Sequence, residues 1–143
     1  MKTKFSQIVK VKQRRVDEIE NALLDVQNQK RRVFESIEEV LEEISKIKTP
    51  KSGLFSQINI SHMHLKNFSN QKERYEEEIV NLEQQIDSLK ELYKEANIEF
   101  EKIKYLDDLE IKKQLEELKV QESKDMDEIG NLLFTKNKMK VKA

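Results

Sequence analysis

The sequence has no cysteine, one proline and two glycines in 143 residues. Without cysteine there is no disulfide scaffold, no thiolate metal site and no thiol nucleophile. That absence fits a reducing compartment. Turns in globular domains draw heavily on glycine and proline, and three such residues allow very few turns. Multi-layer α/β folds, β-sandwiches and compact many-helix bundles are therefore disfavoured. Aromatic residues make up only 6%. No apolar run approaches the roughly 18 residues that span a bilayer. The basic start Met1-Lys2-Thr3-Lys4 is followed by no apolar stretch that would make it a signal peptide. A soluble, cytoplasmic chain is expected.

Charge is abundant. Charged residues make up 38% of the chain, with 27 basic and 28 acidic side chains and a net charge of −1. Together with frequent Leu, Ile, Gln and Asn, this is the composition of long helices. An enzyme needs a concave site on a folded body, which such a chain is not expected to form.

Two seams organise the sequence. The first steps through Phe5, Val9, Lys12, Val16, Ile19, Leu23, Val26, Lys30, Val33, Ile37, Val40, Ile44 and Ile47, alternating strictly between three and four residues. The second runs Leu65, Phe68, Lys72, Tyr75, Ile79, Leu82, Ile86, Leu89, Tyr93, Ala96, Phe100 and Ile103 with the same alternation. A narrow apolar strip of period 3.5 is the mark of a left-handed coiled coil rather than of a globular helix. Lys12, Lys30 and Lys72 interrupt the strips. A lysine there fixes register at some cost, or packs its stem while the ammonium reaches water.

Between the seams lies Thr49-Pro50-Lys51-Ser52-Gly53. Pro50 lacks an amide donor and disfavours helical geometry at Thr49, and Gly53 permits a reversal. Leu54 to Ser61 is ambiguous. Leu54, Ile58 and Ser61 extend the second seam backwards, whereas Ile58 and Ile60 alternate like a strand; a short helix or irregular segment is expected. The fold class that follows is all-α, a two-helix antiparallel coiled-coil hairpin with an overhanging C-terminal helix. As one domain over 1–143, it has helix 1 at about 3–48, a hinge at about 49–60, helix 2 at about 61–135 and a basic tail at 136–143.

Charge agrees with this folding. Residues 4–34 carry eight basic and four acidic side chains, and residues 70–101, which face them if the reversal centres near residue 52, carry four basic and ten acidic. Opposite signs beside a seam set helix orientation. The arms are unequal, about 65 Å against about 110 to 120 Å at 1.5 Å per residue. The pattern leaves residues beyond about 103 unpartnered. The seam breaks there, at Asp107 and Glu110, and apolar residues resume one residue out of phase at Ile111, Leu115, Leu118, Ile129 and Leu132. A register change where the partner ends suggests a surface for another molecule; a frayed helical end has the same pattern.

Several chemistries lack their residues. The two glycines are 77 residues apart, so no phosphate-binding glycine loop exists. His62 and His64 point about 200° apart on a helix and cannot share a metal there. Carboxylates such as Glu76, Glu77 and Glu78 form a solvated face. No catalytic residue, cofactor or metal ligand is expected, and no small-molecule substrate. Both ends are basic, through Lys2, Lys4, Lys10, Lys12, Arg14 and Arg15 and through Lys136, Lys138, Lys140 and Lys142. The first cluster carries apolar seam positions, unlike the polar arm of a DNA-binding zipper, so an acidic protein is expected rather than nucleic acid.

The opening Lys4-Phe5-Ser6-Gln7-Ile8-Val9-Lys10-Val11-Lys12, the two-helix layout with its central break, and the late Glu122-Ser123-Lys124-Asp125-Met126-Asp127-Glu128-Ile129-Gly130 together resemble the FliJ family. This family supplies the small coiled-coil component of the bacterial flagellar type III export apparatus. The resemblance implies an antiparallel coiled coil similar to the central stalk of rotary ATPases. It also implies a non-catalytic adaptor that binds the centre of the hexameric flagellar export ATPase, promotes its ring, contacts the membrane export gate and attends export chaperones. Its place would be cytoplasmic, peripheral at the inner face of the membrane at the flagellar base.

Two partner-binding sets follow. The ATPase end comprises Phe5, Val9, Leu115, Leu118, Met126, Asp127, Glu128 and Ile129, of which Met126 to Ile129 carry the family match. The tip, suited to the export gate, comprises Leu54, Phe55, Ile58, Leu65 and Phe68; these residues can equally pack together to close the hairpin. Gly130 departs from the usual pattern and is a candidate helix stop. Two other readings fit the same seams: an injectisome-type coiled-coil linker, and a prefoldin-like holdase, which needs a β-rich centre near Phe55 to Ser61.

Overall fold

The computed structural model describes residues 2–48 and 55–142, with side chains through residue 138. Two helices account for nearly all of it, α1 at Ser6–Lys46 and α2 at Phe55–Lys142, and they pack against each other with no strand among the described residues. The fold is all-α, as the seams require. The Thr49 to Gly53 break and Leu54 lie outside the described residues.

Helix α1 opens with a reciprocal cap. The Phe5 amide donates to Thr3 Oγ1 at 3.0 Å, while the Thr3 amide donates to Ser6 Oγ at 2.8 Å. Each hydroxyl satisfies a backbone donor that the first helical turn leaves free. At the other end the Ile47 amide reaches back only three residues, to Ile44 O, tightening the last turn. Helix α2 begins earlier than its pattern suggests. Phe55 to Ile60, which the sequence reading places in the hinge as a short helix or irregular segment, form its first turns, with Ile58 and Ser61 half-buried and Ile60 exposed. Helical rather than strand periodicity therefore governs this segment. Gly130 does not stop the helix, which runs on through the basic residues to Lys142.

Contacts divide the chain into two units. The larger, Arg14–Asn97, holds the core. Val16, Ile19, Val33 and Val40 of α1 and Ile79, Leu82, Ile86 and Ala96 of α2 are its buried residues. Val33, Ile79 and Leu82 form a cluster, with Val26, Ile37 and Tyr75 packed around it. The pairing is antiparallel. Lys30 reaches Glu83 at 3.3 Å, whereas a reversal centred on residue 52 would place it opposite about residue 74. The register is thus displaced by about one heptad from the simplest fold-back.

The other unit joins Met1–Gln13 to Ile98–Ala143. Here Phe5, Val9, Phe100 and Ile103 are half-buried seam residues, and Lys12 Nζ donates to Glu99 Oε2 at 2.8 Å. The displacement recurs, because Thr3 faces Asp107 rather than about residue 101. Partnered helix consequently extends past residue 103, and Asp107, Glu110, Ile111 and Gln114 are all half-buried.

Candidate functional site

Asp107 marks the start of the region of interest. By sequence it reads as the end of the seam; in the structure it receives the Thr3 hydroxyl, the same group that caps α1. Its carboxylate therefore sits at the positive end of the α1 dipole. Around it the covered positions are Ile103, Asp107, Glu110, Ile111 and Gln114. The three-four alternation continues through Ile103, Asp107, Glu110 and Gln114, now mostly polar, and Ile111 is half-buried beside it.

Beyond Gln114 every described side chain is exposed. Among them are large apolar residues: Leu115 at 44%, Leu118 at 48%, Ile129 at 54%, Leu132 at 70% and Phe134 at 68%. Taking 100° per residue, Leu115, Leu118, Ile129, Leu132 and Leu133 fall on one face of α2, with Met126 at its margin. A helix face of this kind has a large hydrophobic area in water, with nothing among the described residues against it. Exposed apolar strips bounded by polar residues mark interaction sites.

The expected ATPase-end residues therefore separate into two kinds. Leu115, Leu118, Met126, Asp127, Glu128 and Ile129 are exposed on the free length of α2, whereas Phe5 and Val9 are half-buried in the seam. Lys4 Nζ lies 5.2 Å from the Phe5 ring centroid and covers part of its face. Leu132, already part of the sequence pattern, and Leu133 continue the exposed strip, while Phe134 is exposed on another side of the helix. Gly130 sits within this length, and a Cβ built there would meet nothing within 4 Å.

At the other end of α2 the tip residues also divide. Phe55 is 76% exposed, while Ile58, Leu65 and Phe68 are half-buried and Leu54 lies outside the described residues. Ile60 and Met63 are also exposed on these first turns of α2, apolar residues that the seam positions alone did not mark. His62 and His64 are exposed on α2, and no group of side chains among the described residues is arranged to hold a metal ion. No described helix is long and apolar enough to cross a membrane.

Lys12 perturbs one carboxylate. Its hydrogen bond, and next its charge, hold Glu99 below the ordinary carboxylate value of 4.5.

Neither the comparison with curated proteins nor that with solved structures gives a match. The family model described as "Flagellar FliJ protein" matches residues 1–139.

Proposed function

We propose a role that starts from one fact: the chain belongs to the FliJ family and is a component of the flagellar protein export apparatus. Within that apparatus it acts as a non-catalytic coiled-coil adaptor at the cytoplasmic face of the membrane. The free length of α2 beyond Gln114 enters the centre of the hexameric export ATPase and promotes assembly of its ring. Leu115, Leu118, Met126 and Ile129 supply the apolar contact, Glu128 flanks it as a polar rim with Asp127 on another side of the same turn, and Phe5 and Val9 hold the neighbouring pair of helices together. The tip around Phe55, with Leu54, Ile58, Leu65 and Phe68, meets the export gate, and export chaperones are further partners.

The observation that supports this reading most is the contrast along α2. Its seam is covered as far as Gln114, and then an apolar face continues in water to Leu133. Apolar area of that extent favours association, and aromatic and aliphatic anchors contribute most of the energy at interfaces.

The test is ATP hydrolysis by the export ATPase of the same organism, titrated with the intact chain and with a chain truncated after Gln121. Stimulation and hexamer formation are expected from the intact chain and not from the truncated one, whose helical signal per residue stays high. Stimulation by the truncated chain would remove the ATPase contact from this segment. No stimulation by either would remove the adaptor role.

A further inference from the structure

The free face of α2 keeps the heptad rhythm but changes its chemistry halfway along. Leu115 and Leu118 are followed at the next two seam positions by Glu122 and Asp125, and then by Ile129 and Leu132. All six are exposed. The Gln121 amide donates to Asp125 Oδ1 at 3.1 Å, and none of the ion pairs among the described residues uses Glu122 or Asp125. Two acids thus occupy the positions where a facing helix would meet this one most closely.

A second copy of the chain fits the apolar positions but not these two. Laid antiparallel, it sets Leu115 against Leu132, Leu118 against Ile129 and Glu122 against Asp125. Laid parallel, it sets each acid against its own copy. Either arrangement gathers four carboxylates at the middle of an otherwise apolar seam. Like charges so placed oppose association, and seam polarity of this kind selects partners as much as it binds them. A facing helix with basic residues at its two central positions keeps every apolar contact and converts the repulsion into attraction.

We infer that the free face of α2 receives a partner helix carrying basic residues midway along an apolar strip, and that Glu122 and Asp125 keep copies of this chain from occupying the face themselves. This deepens the reading of the segment as the partner-binding end. Its test uses no ATPase, so either reading can fail without the other.

The chain itself supplies the probe. A full-length variant with Glu122→Lys and Asp125→Lys carries the inverse pattern, and lysine is a good helix former, so α2 is retained. Sedimentation equilibrium of the native chain, of the variant, and of an equal mixture compares three associations. The mixture should form a heterodimer at least about tenfold tighter than either chain with itself. The preference should shrink as added salt screens the charges. A neutral variant, Glu122→Gln with Asp125→Asn, should self-associate more than the native chain. Equal association in all three solutions would overturn the inference, as would a native chain that dimerises as tightly as the mixture or a mixture that does not associate.

Discussion

Lys12 and Lys30 stand where a two-helix seam ordinarily places an aliphatic side chain, and each is half-buried. Their stems fill the seam while the ammonium groups reach carboxylates on the facing helix, Glu99 at 2.8 Å and Glu83 at 3.3 Å. Lys72 reaches Glu76 on its own helix instead. Cross-helix pairs of this kind carry register information that apolar residues lack. The first has a pH consequence. Because Lys12 lowers the Glu99 pKa in the folded chain, the pair contributes stability above the unfolded value near 4.5 and loses it as pH falls through the lower folded value. A carboxyl NMR titration should place the Glu99 midpoint below 4.5, and Lys12→Gln should move it back up towards 4.5. The Thr3 contact to Asp107 is of a different sort. It joins residues 104 apart through a hydroxyl and a carboxylate, and no periodicity marks it. Asp107 therefore reads from sequence as a seam that has ended, although it is a seam position still in use.

At the scale of the elements, the two strips were fully legible. Every one of the thirteen positions stepped from Phe5 to Ile47, and of the twelve from Leu65 to Ile103, is buried or half-buried. Which residues of one strip face which of the other was not legible. A seven-residue repeat specifies register only to within a multiple of seven, so a slip of one heptad leaves the pattern unchanged. Pro50 shows where α1 must stop but says nothing of how far the start of α2 projects past that point. Helix α2 accordingly begins at Phe55, and partnered helix reaches Gln114. That Gly130, a candidate helix stop, does not end α2 has another reason. One glycine costs a helix about 1 kcal/mol, which does not terminate one when its neighbours favour it. Paired and free lengths should respond differently to mutation. Leu82→Ala removes a side chain only 5% exposed and should cost about 2 kcal/mol in urea denaturation followed by circular dichroism. Leu118→Ala, on the free face, should change stability by less than about 0.5 kcal/mol.

For the whole molecule, local stability should follow coverage. A single helix without a packed face is marginal in water, whatever its propensity. Amide hydrogen exchange should therefore be slowest around Val16–Val40 and Ile79–Ala96, where the buried residues lie. Beyond Gln121 it should be faster by about two orders of magnitude or more, since exchange tracks local opening. Uniform protection along α2 would contradict the absence of a partner there. The candidate site was legible in part for the same reason. The phase change near Ile111 announced a free face, but periodicity cannot say whether such a face waits for a partner or simply frays. The paired lengths have a consequence for the history of the sequence. Only the seam and its immediate flanks leave water, so most positions answer to little beyond solubility and helix propensity. Their letters are free to drift between lineages, and what inheritance has to preserve is chiefly a rhythm.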